Sequence, residues 1–141
     1  MQAGNRGFTL LELIVVIFIT GIAFSIVFLA VSREYEKAVF KDASKKIFIT
    51  LKHARETSLM ERTPVTFMLD KENRAFWLEK NGSKYGRTHQ LPENIKISGE
   101  SIMFFPKGNA SGGAIIINDE KGRKHSIEVD PILGTPKIKG I

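Results

Sequence analysis

The chain of 141 residues contains no cysteine. That absence removes disulfide staples, cysteinyl zinc sites, iron–sulfur clusters and thiol nucleophiles, so the fold must rest on packing. Proline is scarce, and the first one is Pro64, so no ring interrupts a helix before residue 63. The only histidines, His53, His89 and His125, have no metal-ligand spacing between them. No Gly-x-Ser-x-Gly elbow occurs. The loop Gly108 to Gly113 lacks the Gly-Lys-Ser/Thr ending of a phosphate cradle and leads into an apolar run, which reads as a flexible loop. Two oxygen-rich stretches, Asp70 with Glu72 and Asn73, and Asn118 with Asp119 and Glu120, sit in short lysine-containing turns and read as polar turns before calcium loops. The expectation is a protein that is not an enzyme and that uses no metal and no cofactor.

What is present is uneven. With 21 Lys+Arg against 15 Asp+Glu the net charge is +6, which favours acidic partners without demonstrating one. From Phe8 to Val31 the chain is apolar with a single ionisable side chain, Glu12. At about 1.5 Å per residue a helix of this length crosses a bilayer core. A cleaved secretory signal is the rival reading, but the run is too long, no small-residue cleavage site follows it, and a helix-prone polar stretch continues from Ser32 without a break. The span is expected to stay attached. Glu12 then needs an explanation, because a carboxylate in hydrocarbon costs several kcal/mol unless something neutralises it. Gly21, also within the span, costs roughly 1 kcal/mol relative to Ala in a helix and fits either close helix packing or local unwinding.

Ahead of the span stands Met1-Gln2-Ala3-Gly4-Asn5-Arg6-Gly7, a polar leader whose one charge is basic, followed by Phe8-Thr9-Leu10-Leu11-Glu12-Leu13. These residues resemble the class III signal of type IV pilins and type II secretion pseudopilins. The resemblance implies that a membrane prepilin peptidase cuts after Gly7 from the cytoplasmic side, that Phe8 becomes the N-methylated N-terminus, and that the span is retained. Cutting there creates a cationic amine four positions from Glu12, and neighbouring stems could pair one subunit's amine with another's carboxylate. The expected organisation is a leader over 1–7, a transmembrane helix over 8–31, an amphipathic stem helix over 32–63 and a β-rich head over 64–141.

In the stem, Val39, Ala43, Ile47, Leu51, Ala54 and Ser58 recur in steps of three and four and define one helix face, with Phe40, Ile49 and Leu59 apolar outside that line. Thr63-Pro64 stops the helix. Beyond it the pattern changes to short apolar runs split by turn residues. Val65 to Leu69 and Ala75 to Glu79 flank Asp70-Lys71-Glu72-Asn73-Arg74 as a hairpin. Ile95 to Ser98 and Ile102 to Phe105 surround Gly99-Glu100, and Ala114 to Asn118 and Lys124 to Val129 flank Asp119-Glu120-Lys121-Gly122. From Lys71 to Ile97 little distinctive pattern appears. The fold class expected is α+β: a long N-terminal transmembrane and amphipathic helix packed against a small, mostly antiparallel β-sheet head, pilin-like. So small a sheet cannot bury a large core alone and should close over the apolar face of the stem.

Phe104 to Gly113 followed by Ala114-Ile115-Ile116-Ile117, and the terminal Val129-Asp130-Pro131-Ile132-Leu133-Gly134-Thr135-Pro136-Lys137, resemble the strand, loop and closing strand of the H-type minor pseudopilins and the related FimT-like minor pilins. One reading implied by this resemblance is a structural subunit near the tip of a type II secretion pseudopilus, anchored once in the inner membrane with its head in the periplasm. Its partners would be other minor and major pseudopilins, the prepilin peptidase, the inner-membrane assembly platform and secreted cargo. The second reading is a FimT-like minor pilin that binds DNA for uptake through Lys121, Arg123, Lys124, Lys137 and Lys139. Such DNA binders carry Gly-Arg-x-Arg near the C-terminus, whereas this chain reads Gly134-Thr135-Pro136-Lys137. The first arginine is missing and the second is a lysine, which weighs against that reading.

Overall fold

The structure, a computed structural model, describes residues 8–140. One helix, α1, runs from Leu10–Glu61, followed by eight strands: β1 Val65–Asp70, β2 Ala75–Lys80, β3 Ser83–Gln90, β4 Ile95–Ser98, β5 Ile102–Phe104, β6 Gly113–Asp119, β7 Lys124–Val129 and β8 Pro136–Gly140. The chain divides into two compact units, one ending at Val39 and the other beginning at Phe40.

The first unit is helical and apolar. Leu10–Phe28 is long and apolar enough to cross a membrane, and every side chain from Phe8 to Phe28 is exposed. The few hydroxyls in it are satisfied within the helix. Thr20 Oγ1 donates to the Val16 carbonyl at 2.8 Å, Ser25 Oγ to Gly21 at 2.9 Å and Ser32 Oγ to Phe28 at 2.9 Å. Each removes a polar group that would be costly to leave unpaired in hydrocarbon.

The second unit is a helix and two four-stranded antiparallel sheets. Sheet A has the order β3-β2-β1-β5 and sheet B the order β4-β6-β7-β8. The helical stripe expected from the periodicity is the spine of the core: Ala43, Ile47, Leu51, Ala54 and Ser58 are all buried. Phe40, Ser44 and Thr57 are buried as well, so the stripe is two rows wide, whereas Ile49 is 51% exposed. Strand alternation supplies the opposing surface. Phe67, Phe76 and Phe104 of sheet A and Ile115, Ile117 and Ile127 of sheet B are fully buried. The helix ends at Glu61, two residues short of the expected 63, with Arg62 left-handed at φ 51° ahead of Thr63-Pro64.

Two features differ from the expectation of a single small sheet. Strand β3 lies in the stretch that showed little pattern, because it is an edge strand with no fully buried side chain. The runs on either side of Gly99 do not pair with each other: β4 joins β6, and β5 joins β1. Gly99-Glu100 is therefore where the chain leaves sheet B for sheet A. The crossing is tight, since Gly99 has φ 141° and a Cβ built there would come within 2.6 Å of the Ala114 carbonyl oxygen. The glycine loop after β5 is not loose either. Its Ala110 N–H donates to the Pro131 carbonyl at 3.0 Å, and the Phe105 carbonyl accepts the Gly108 N–H at 2.9 Å and the Ser58 hydroxyl at 3.3 Å.

Gly99→Ala is expected to lower the unfolding free energy by more than about 2 kcal/mol, since it adds a backbone collision to an unfavourable φ. Gly122→Ala, at φ 80° with open space around it, should lose only about 1 kcal/mol. Urea unfolding of the detergent-solubilised chain, followed by its single tryptophan, Trp77, measures both. Equal losses would refute the close-approach argument.

Candidate functional site

The first candidate site is the start of α1. Gly7 lies outside the described residues, and Phe8 is 68% exposed. Thr9 caps the helix: its carbonyl accepts the Leu13 N–H at 3.1 Å and its Oγ1 accepts the Glu12 N–H at 3.2 Å. Glu12 is thus the third residue of the helix after a threonine cap, the Thr-x-x-Glu arrangement of a capping box, with its carboxylate near the positive end of the helix dipole. The sequence reading missed this local role although the spacing carries it. Glu12 is also exposed, and among the described residues no basic side chain pairs with it. The acidic group is positioned by its own helix and left open to a cation from elsewhere.

The second candidate is the basic C-terminal region, which the structure divides. Arg123 is turned onto Asp119: its Nε and its terminal nitrogen each lie 2.5 Å from Oδ2. The Asp119 side chain is 2% exposed, and its Oδ1 accepts the backbone N–H of Lys121 at 3.1 Å and of Arg123 at 2.8 Å. Burial pushes this carboxyl up, but the Arg123 guanidinium and the two N–H groups outweigh it and hold the carboxyl below its ordinary value. Arg123, whose guanidinium carbon also lies 5.5 Å from the Phe40 ring centre, is thereby a structural residue of the β6–β7 turn. Lys139 is bonded to Glu128 at 2.6 Å.

The register places Lys124, Lys137 and Lys139 on the outer face of sheet B. Lys124 is opposite Asn118, Lys139 opposite Ser126, and Lys137 opposite Glu128. Lys96 of β4 is opposite the other side of Asn118 and joins the same face. The alternation Ile95-Lys96-Ile97, with both isoleucines buried, could have announced Lys96. The turn after β7 is built by Asp130, whose Oδ1 accepts the N–H groups of Ile132 at 2.8 Å and Leu133 at 2.9 Å. Those two bonds hold the Asp130 carboxyl below its ordinary range, with Lys137 adding to them. They also present Ile132 and Leu133 to the outside, 80% and 58% exposed.

The histidines are dispersed, and among the described residues no three of His, Asp or Glu gather as a metal-ligand set. Ser44 Oγ and His125 Nδ1 do meet at 2.9 Å, which is the geometry of a nucleophile and its base. Ser44 is 2% exposed, and its hydroxyl also bonds the Phe40 carbonyl one turn back at 3.1 Å. The His125 ring leans on Phe40 with centroids 4.8 Å apart. This is a tie between α1 and β7 inside the core.

Residues 2–28 match the prokaryotic N-terminal methylation motif. The fold is similar to the minor pseudopilin EpsH from the type 2 secretion system of Vibrio cholerae, with a TM-score of 0.64 and 11% identity over 72% of this chain and 96% of that one. The fold is pilin-like. The type IV minor pilin FimU of Pseudomonas aeruginosa PAO1 shares the fold in two crystal forms, each with a TM-score of 0.59. Identities are 13% and 15%, over 70% and 75% of this chain and 91% and 90% of FimU. At these identities the likeness is one of fold. No curated protein matches the sequence. The chain combines an N-terminal apolar helix with antiparallel sheets in an α+β, pilin-like arrangement.

The Asp119–Arg123 pair has a definite pH signature. A carboxyl held below its unfolded value stabilises the fold above about pH 4, and that contribution is lost as the pH falls through the lowered folded value. Asp119→Asn should cost about 1 to 2 kcal/mol at pH 7, since the part-exposed arginine is only partly desolvated. It should also flatten the loss of stability in acid. Urea midpoints at neutral and acidic pH test this, and a variant with the wild-type acid limb would contradict it.

Proposed function

We propose that this protein is a minor pseudopilin, a structural subunit at or near the tip of a type II secretion pseudopilus that assists filament initiation and protein secretion. The observation that carries the reading is the methylation motif over residues 2–28 on the same chain as a head of the EpsH fold. In this reading the leader is cut after Gly7 by a prepilin peptidase, the mature chain begins at methylated Phe8, and the span over 8–31 stays in the inner membrane. The stem over 32–63 and the head over 64–141 lie in the periplasm. The partners are the other minor and major pseudopilins, the inner-membrane assembly platform and secreted cargo.

The chemistry of assembly is charge pairing in a low dielectric. Cleavage leaves a cationic amine at Phe8, four positions from the exposed carboxylate of Glu12, and each charge is costly to leave unpaired in lipid. Stacking the stems supplies the missing partner, one subunit's Glu12 to the next subunit's amine, and the exposed apolar side chains from Leu10 to Phe28 bury one another around the pair. Breaking such a pair leaves an uncompensated charge, which is why a single carboxylate can control polymerisation.

A second reading has one observation in its favour. The outer face of sheet B carries Lys96, Lys124, Lys137 and Lys139 against the single carboxylate Glu128, a surface on which a DNA-binding minor pilin could neutralise phosphates. Against it, Lys139 is already on Glu128 and Arg123 on Asp119, so the patch is weaker than the residue count suggests.

Two measurements decide between these readings. Glu12→Ala and Glu12→Gln should both be cleaved and inserted normally but should enter sheared filaments at least about tenfold less than wild type. Glutamine preserves the capping geometry and removes the charge, so normal assembly of Glu12→Gln would reduce Glu12 to a helix cap. For the DNA reading, the full chain in uncharged-lipid nanodiscs is titrated with labelled duplex at two salt concentrations. Pseudopilin function predicts no binding at low salt. Uptake predicts micromolar affinity with a salt exponent of about three, lost in Lys124→Ala/Lys137→Ala.

A further inference from the structure

Strand β3 departs from regular pairing in a way that builds a cleft. Phe76 is opposite His89 and Leu78 is opposite Tyr85, so Trp77 alone faces Gly86, Arg87 and Thr88. This bulge of three residues against one, with Gly86 at φ 79°, re-aims the middle of an edge strand. It is braced. Lys84 Nζ bonds Thr88 Oγ1 at 2.6 Å and lies 5.0 Å from the centre of the Trp77 ring. His89 stacks on Phe76 with centroids 5.1 Å apart, and Tyr85 is held between Lys80, 4.5 Å from its ring centre, and Glu61, 3.4 Å from its hydroxyl.

Between this bulge and α1 lies a cleft of about 300 Å³. Its apolar surface comes from Ile49, Leu78 and Tyr85, and Ile49 is 51% exposed, an apolar side chain left uncovered on an otherwise charged helix face. Its charged lining is Lys46 from α1 and Arg87 from β3, with His53 and His89 beside them and no carboxylate. Lys46 is paired with Asp42 at 2.8 Å, and Glu61, which bonds Lys80 at 2.5 Å, is occupied away from the cleft. Arg87 is exposed, and among the described residues its guanidinium has no carboxylate.

We propose that this cleft is a docking site for an acidic segment of another protein, one that inserts an aromatic or branched apolar side chain flanked by carboxylates. Charge complementarity selects the occupant. A second copy of this chain, with net charge +6, would be repelled by the same cations. The volume is at the low end for ligand pockets and suits one large side chain. The bulge and Lys84 blunt β3 against simple strand addition, so side-chain insertion beside the edge, with Arg87 gripping a flanking carboxylate, is the mode the geometry allows. The site is separate from the outer face of sheet B and from Glu12, and it does not depend on which filament the protein joins.

The test uses the full chain in uncharged-lipid nanodiscs and three capped tripeptides, Glu-Phe-Glu, Glu-Ser-Glu and Lys-Phe-Lys, titrated by NMR. Glu-Phe-Glu should saturate with a dissociation constant of about 1 mM or tighter, and the other two should bind at least about tenfold more weakly. Arg87→Glu and Ile49→Asp, both at exposed positions, should each weaken Glu-Phe-Glu by about tenfold, while Lys137→Ala on sheet B leaves it unchanged. Equal binding of the three peptides, no saturation by Glu-Phe-Glu, retention in both cleft variants, or an equal loss in Lys137→Ala would each overturn the proposal.

Discussion

A helix that carries apolar side chains on one broad stripe has to keep that stripe dry, and in the second unit Ala43, Ile47, Leu51 and Ala54 are the surface around which everything else is arranged. Neither four-stranded sheet is large enough to enclose a core by itself. Each buries only one face of alternating side chains, Phe67, Phe76 and Phe104 in sheet A and Ile115, Ile117 and Ile127 in sheet B. Polar ties then fix each sheet to the helix at a set height: Ser44 to His125, Ser58 to the Phe105 carbonyl and Arg55 to the Leu133 carbonyl, which accepts its Nε–H at 3.1 Å. The chain can cross from one sheet to the other at Gly99 because there is no side chain to collide with β6.

The same molecule handles carboxylates in three ways, and the difference is one of surroundings. Asp119 is buried and survives as an anion because a guanidinium and two backbone N–H groups converge on it. Asp130 spends its charge on the backbone of a turn and so displays Ile132 and Leu133. Glu12, on an exposed apolar helix, has only its own helix terminus. A charge that is provided for inside the fold makes structure, and one left unprovided for makes a demand on a neighbour. In the proposed reading, that contrast is what makes Glu12 the point of assembly.

Basic residues sort in the same manner. Residues adjacent in sequence part company: Arg123, in the β6–β7 turn, goes to a buried aspartate, and Lys124, the first residue of β7, lies on the open face of sheet B. Lys46 and Arg87, far apart in sequence, line one cleft. The basic residues therefore divide among the outer face of sheet B, the cleft beside β3 and the Asp119 clamp rather than forming a single patch.

Much of this was legible in the residues alone. The apolar run after a basic leader, the Thr-Leu-Leu-Glu start, the three-and-four spacing of the stem and its stop at Thr63-Pro64, and the hairpins around Asp70 to Arg74 and Asp119 to Gly122 are all written locally. Helices and hairpins are made by contacts between near neighbours, so their periods appear in the sequence. Strand β3, the separation of β4 from β5, the Asp119 clamp, the membership of Lys96 in the outer face and the cleft beside Arg87 are of another kind. Each depends on which edge meets which and on how a register falls across residues far apart in the chain. Such pairings are settled by how two sheets share one helix face, and only the packed tertiary structure decides that.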